Sequence, residues 1–145
     1  MLGNTDGHGC GFASPQMDTD GAEFVLALNA LTEKIIGSAF AVSRVLGHGF
    51  LEAVYKNALA VELTAAGLSF QKERIFPVHY RDEKVGNYVA DLVVNDWVIV
   101  ELKVVDVLSA THSAQTLNYL KASNLPVGLL LNFGKPRLEV KRVRL

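Results

Sequence analysis

The chain has 145 residues, half of them hydrophobic and a fifth charged, with a formal net charge of −1 and a pI near 6.4. That composition excludes a disordered chain, and its charge balance gives no global support for nucleic-acid binding, so such a function must rest on a local patch. A single cysteine, Cys10, excludes an intrachain disulfide framework and a cysteine zinc site.

Residues 1–19 are rich in Gly, Asp, Ser and Thr, and a disordered tail is expected there; His8 and Cys10 are too isolated to form a metal site. Residues 20–145 are expected to form one domain. No apolar run approaches the roughly 18 residues of a membrane span, and no basic-then-apolar signal opens the chain. A cytoplasmic protein with no membrane partner is therefore expected.

A first helix is expected from Asp20, which can cap it in a box with Glu23. Leu28, Leu31, Ile35, Val42 and Leu46 recur at helical spacing, and Gly47 ends the helix. A second helix runs from Phe50 to Ala66. Its main apolar stripe is Leu51, Val54, Ala58, Val61 and Ala65, with Glu52, Lys56, Leu59 and Leu63 to one side. Both sides are thus partly apolar, which predicts a helix covered on two faces and Glu52 as a partly buried acid.

A strand follows over Phe70–Tyr80, broken or edged at Pro77, then a polar turn over Arg81–Lys84. Tyr88–Val104 reads as a hairpin of two strongly apolar strands that nevertheless carry Asp91, Glu101 and Lys103. Ser109 caps a third helix running to Ser123. Val127–Phe133 is a continuous apolar run typical of a central strand, and Arg137–Leu145 is a last strand. This order predicts an α/β fold: a mixed, mostly antiparallel sheet flanked by helices, with one parallel crossover through the third helix.

The three charges in the hairpin need a partner or a metal, because charged groups are rarely buried alone. Asn95-Asp96 invites a two-residue turn, which would send Asp91 and Glu101 to opposite faces. A three-residue loop over Asn95–Trp97 instead sets Asp91 opposite Glu101. The apolar pattern favours the second register. One face then reads Tyr88, Ala90, Leu92, Val94, Val98, Val100, Leu102 and Val104, all apolar. The other gathers Asp91, Glu101 and Lys103 with Val89, Val93 and Ile99. Two carboxylates about 5 Å apart repel each other, and Mg²⁺ or Mn²⁺ would remove that repulsion. A buried ion-pair cluster around Lys103 is the competing reading, and ion pairs are commoner than metal sites.

Asp91 followed by Glu101-Leu102-Lys103 resembles the PD-(D/E)XK nuclease superfamily. Gly49-Phe-Leu-Glu52-Ala-Val-Tyr55 matches a Gly-x-x-Glu-x-x-Tyr pattern, and Gln115-Thr-Leu-Asn-Tyr119 resembles the Gln-x-x-x-Tyr element of RecB-like nucleases. In combination and order, these motifs make the chain similar to the GxxExxY family of small PD-(D/E)XK proteins over Glu33–Leu145. It departs from that family's usual pattern at Ser43, where His is frequent, and at His48, where Pro is frequent. The resemblance implies a restriction-endonuclease-like core and a Mg²⁺- or Mn²⁺-dependent nuclease acting on DNA, with RNA the less favoured substrate. It implies Asp91 and Glu101 as metal ligands, with Glu52 a further ligand directly or through water. Lys103 would orient or deprotonate the attacking water. Gln115 would position Lys103, the metal water or the nucleic-acid backbone, and Tyr119 would support it or contact phosphate.

Lys135, Arg137, Lys141 and Arg142, with Arg144, form the only local basic patch in the sequence. They could hold a phosphate backbone or simply mark a solvated edge strand. The alternative to an enzyme is a non-catalytic nucleic-acid- or protein-binding module, including a homodimeric one, that keeps the nuclease fold.

Overall fold

A computed structural model describes residues 21–145; the tail, His8, Cys10 and the Asp20 cap fall outside the described residues. Three helices and five strands follow in the order α1 (Gly21–Leu46), α2 (Glu52–Ala65), β1 (Phe70–Tyr80), β2 (Glu83–Val94), β3 (Val98–Lys103), α3 (Ala110–Ser123), β4 (Val127–Asn132) and β5 (Glu139–Arg144). The strands form one sheet in sequence order. Every neighbouring pair is antiparallel except β3–β4, which is parallel. The connection between those two carries α3, the expected crossover.

One face of the sheet packs against α1 and α2, and the other against α3. Leu28, Leu31, Ile35, Ala39 and Val42 turn one stripe of α1 into the larger core, where they meet Leu92, Val94, Val98, Val100, Leu102, Leu129 and Leu131. By length and composition alone α1 could cross a membrane, with a mean hydropathy of 1.4 over its window, which contradicts the expectation that no run is apolar enough. Its inward stripe is used here as core. Gly47 ends α1 at φ 68°, its N–H donating to Ser43 O. Ser109 caps α3 in a reciprocal box with His112. Gly128 in β4 lets α3 approach closely: a Cβ there would lie 2.8 Å from Thr116 Cγ2.

Helix α2 differs from expectation. Its buried residues are Tyr55, Leu59, Ala60 and Leu63, whereas Leu51 and Val61 of the expected stripe are 80% and 67% exposed. Only one side is covered. The larger side chains decide the rotation, because burial scales with apolar area. The Tyr55 ring stacks on Phe133 at 4.7 Å, and its hydroxyl donates to Gly47 O at 2.7 Å, so its polar end is also satisfied.

The β2–β3 hairpin has the three-residue loop. Val94 pairs with Val98, Val93 with Ile99 and Leu92 with Val100. Asn95 and Asp96 take φ of 53° and 58°, and the Trp97 N–H closes the loop on Val94 O at 3.0 Å. The two-residue turn lies elsewhere, between Tyr80 and Glu83, where Arg81 and Asp82 both have positive φ.

One part of the expected face pattern is overturned. Leu92 and Val94 lie in the α1/α2 core, but Tyr88 and Ala90 lie on the α3 side with Phe76, Val93 and Ile99. The β1–β2 ladder skips one position, Glu73 opposite Asp91, between Lys72↔Leu92 and Arg74↔Ala90. Glu73 there has φ 54°. A non-glycine residue in the left-handed region interrupts the alternation, so both strands change face at this rung.

Candidate active site

The face change puts Asp91 where β2 parts from β3. The ladder stops at Leu92↔Val100, and side chains take over the next hydrogen bonds. The Asp91 N–H donates to Glu101 Oε2 at 3.1 Å, and the Leu102 N–H donates to Asp91 Oδ2 at 2.9 Å. Each carboxylate is therefore fixed through one oxygen by the opposite strand's backbone, which orients it without a flexible partner. The expected opposition of Asp91 and Glu101 is what the structure brings together.

Glu101 is 6% exposed. The Tyr88 hydroxyl also donates to its Oε2, and Tyr88 stacks face to face on Tyr119 of α3, with centroids 3.5 Å apart. Burial, then the charge of Asp91, pushes the Glu101 carboxyl up to about 7, against the lowering effect of the Tyr88 and Asp91 hydrogen bonds and the Lys103 charge. Burial and the Glu101 charge raise the Tyr88 hydroxyl far above its usual range, so it stays an O–H donor. Tyr119 is raised as well, by burial and then by the charges of Glu101 and Asp91.

From α2, Lys56 Nζ reaches Asp91 Oδ1 at 3.6 Å and Glu73 Oε2 at 3.1 Å. Loss of hydration lowers the Lys56 pKa, but the hydrogen bond to Glu73 and the Asp91 charge outweigh it and the net shift is upward. Glu52 lies one turn earlier on α2. The residue is exposed rather than part-buried, yet partial desolvation of its carboxyl, then the Asp91 charge, raises its pKa, offset by Lys103 and Lys56. Lys103 is half-buried and pairs with Asn132 of β4. Its charge is felt at both Glu52 and Glu101.

Four carboxylates, Glu52, Glu73, Asp91 and Glu101, thus face two ammonium groups, Lys56 and Lys103. The excess is negative, the oxygen donors are hard, and the Asp91 charge raises the proton affinity of Glu101. That donor set fits a divalent Mg²⁺ or Mn²⁺. Among the described residues, no three His, Cys, Asp or Glu side chains converge as a ready-made metal cluster. Asp91 and Glu101 form a pair, with Glu52 beyond them.

A model of the PD-(D/E)XK nuclease superfamily matches residues 29–143. The chain belongs to the PD-(D/E)XK nuclease superfamily. The match runs from within α1 to within β5, and three helices on a five-stranded mixed sheet are the α/β architecture expected of that superfamily. No curated protein matches the chain, and no solved structure does.

The other residues singled out in the sequence are placed less uniformly around this superfamily core. Tyr119 faces the acids through Tyr88. Gln115, one turn earlier on α3, is exposed. The basic residues do not make one patch. Arg142 donates to Asn29 Oδ1 of α1 at 2.6 Å, whereas Lys141 stands one residue out of phase, on the α3 side, at the rung of Leu130 and Glu101. Lys135 and Arg137 lie in the β4–β5 turn. Lys56, Glu73 and Tyr88 were missed by sequence reasoning. Lys56 could have been found from its i, i+4 spacing to Glu52. Tyr88 could not, because regular alternation places it on the wrong face.

Proposed function

We propose that the chain is a Mg²⁺- or Mn²⁺-dependent nuclease that hydrolyses phosphodiester bonds in DNA, with RNA the less favoured substrate. Within the superfamily we assign it to the small GxxExxY group, on Gly49, Glu52 and Tyr55 and on the Gln115–Tyr119 element. The observation that carries the proposal is the pair Asp91 and Glu101, each locked by the other strand's backbone, with Lys103 close enough to act on Glu101.

In this reading Asp91 and Glu101 hold the metal, and Glu52 contributes directly or through water. When bound, the cation lowers the pKa of a water and neutralises charge on the phosphate. Lys103 orients that water, or takes its proton, and offsets charge on the phosphoryl oxygens. Tyr88 pins the Glu101 carboxylate, and Lys56 holds Asp91 from the helix side. Gln115 and Tyr119 face the incoming strand, and Lys135, Arg137, Lys141 and Arg142 are assigned to its phosphates.

The test is cleavage of linear, branched and single-stranded DNA with Mn²⁺. Lys103→Ala is expected to lose at least ~100-fold in rate, and Glu101→Ala to lose all measurable cutting. Activity that survives both changes would belong to another site.

A second reading is a module that binds nucleic acid or protein without cutting. It is favoured by the Lys56 ammonium at Asp91 Oδ1, a cation already standing beside one of the two principal ligands. Under it, Mn²⁺ leaves the melting temperature unchanged.

A further inference from the structure

β2 is laddered to β3 only over Leu92–Val94. Before Asp91, its β3-side edge therefore has no partner strand in that ladder. A cavity of about 300 Å³ lies at this segment, between Asn87, Tyr88 and Val89 of β2 and Asn118, Tyr119 and Ala122 of α3. It borders the acid pair through a single residue, since Tyr88 lines the cavity and gives Glu101 its hydroxyl, its ring stacked between Phe76 and Tyr119. The Tyr119 ring, stacked on Tyr88, is half-buried.

The lining chemistry is selective. Among the described residues it carries no Lys, Arg, Asp or Glu, so it suits neither a phosphate nor a cation. Aromatic rings and apolar side chains accept a flat, neutral group. The carboxamides of Asn87 and Asn118, both exposed, each offer donors and an acceptor to that group's polar edge. Such a group is a nucleobase, which proteins hold by aromatic stacking and edge hydrogen bonds once it has left its own stack.

We propose that this cavity receives one unpaired nucleobase of the strand being cut, next to the scissile phosphate. The proposal rests on the nuclease reading above and gives it a substrate class: single strands, flaps and frayed ends, rather than continuous duplex. A paired base cannot enter without being flipped out, whereas a single-stranded base enters with little to lose.

The test scans one abasic residue, and separately one 2-aminopurine, along a single-stranded DNA offered to the full-length chain. With Mn²⁺, one position next to the cut is expected to be sensitive, its abasic form being cut about tenfold more slowly, the scale of one base–aromatic stack. In EDTA, 2-aminopurine at that same position is expected to change its emission on binding. Ala122→Phe, which fills the cavity, and Asn118→Ala, at an exposed helix position, are expected to remove the position dependence. Both should keep the wild-type melting temperature and the wild-type rate on the abasic strand.

Position dependence that survives in a folded Ala122→Phe chain overturns the proposal. So does cleavage that is indifferent to abasic residues everywhere and equal on duplex and single strands, and so does 2-aminopurine emission unchanged at every position. A chain that cuts no nucleic acid with Mn²⁺ removes the nuclease reading itself, and the base pocket with it.

Discussion

The two faces of the sheet are built to different rules. Against α1 and α2, alternation runs without a break through Leu92, Val94, Val98, Val100 and Leu102, and each is buried to 2% exposure or less. On the α3 side a smaller core of Val93, Ile99, Leu120 and Leu130 shares its sheet face with Glu101. There the ladder fails beside Asp91, and the freed backbone N–H groups bond carboxylates instead. Regular packing stabilises one face, whereas the other gives up a rung of sheet to hold two acids at a fixed separation. Local departures from ideal sheet commonly mark functional sites.

The sharpest way to break the comparison is one truncation on each face. Leu129→Ala, in the α1/α2 core, is expected to cost about 2–5 kcal/mol of stability with little direct effect on chemistry in whatever fraction stays folded. Glu101→Gln is expected to do the reverse, abolishing cleavage while stabilising the metal-free protein at pH 8. Denaturant melts of both variants, read beside their Mn²⁺-dependent rates, check this. A Glu101→Gln chain that melts earlier than wild type at pH 8 would show a carboxylate that holds the fold together.

That contrast has a pH signature. The Glu101 pKa is pushed up to about 7 in the folded chain from the ordinary glutamate value of 4.5, so the folded state binds the proton more tightly than the unfolded state. Stability from this group is present below the unfolded pKa and is lost as pH rises from about 4.5 to about 7. The loss is on the order of 3 kcal/mol. Metal-free wild type should therefore melt earlier at pH 7.5 than at pH 5, and Glu101→Gln should lose most of that slope. Because the metal competes with the same proton, Mn²⁺ should bind more weakly at pH 6 than at pH 8, measured by calorimetry.

Tyr88→Phe is a milder cut on the same face. It removes one hydrogen bond to a charged group, worth about 1.5–3 kcal/mol, and keeps the ring that stacks on Tyr119. Because that bond lowers the Glu101 pKa, its loss should move the acidic limb of the cleavage profile to higher pH. An unmoved limb would mean that the limb reports a different group.

How far the molecule was legible in the sequence divides along the same line. The three-residue hairpin loop followed from apolar alternation, against the two-residue turn that Asn95-Asp96 invites, and Ser109 as a cap followed from its place before α3. The opposition of Asp91 and Glu101 followed from the register alone. The rotation of α2 did not, because its sequence carries two apolar stripes and only tertiary contact between Tyr55 and Phe133 chooses one. Nor did the placement of Tyr88 and Ala90. A single left-handed residue, Glu73, changes the face of two strands, and a glutamate gives no sign that it will take that conformation. The site was thus readable in its carboxylates, which obey the register, and hidden in Tyr88, which depends on the register being broken.

The smallest expected effect separates the two proposed functions. Lys56 is bound to Glu73 and Asp91 on a part-exposed surface, where such pairs contribute about 0.2–1 kcal/mol, so Lys56→Met should shift stability very little. Its effect on metal affinity is more telling. If the ammonium merely occupies the cation position at Asp91 Oδ1, its removal deepens the negative potential and Mn²⁺ should bind more tightly, with cleavage kept or improved. If Lys56 instead holds Asp91 in its working orientation, Mn²⁺ should bind more weakly and the rate should fall, and Lys56→Arg should restore part of both. Calorimetry with Mn²⁺ on the two variants, beside the wild-type rate, distinguishes these outcomes. No Mn²⁺ binding and no cutting in either variant would favour the binding module, in which Mn²⁺ leaves the melting temperature unchanged.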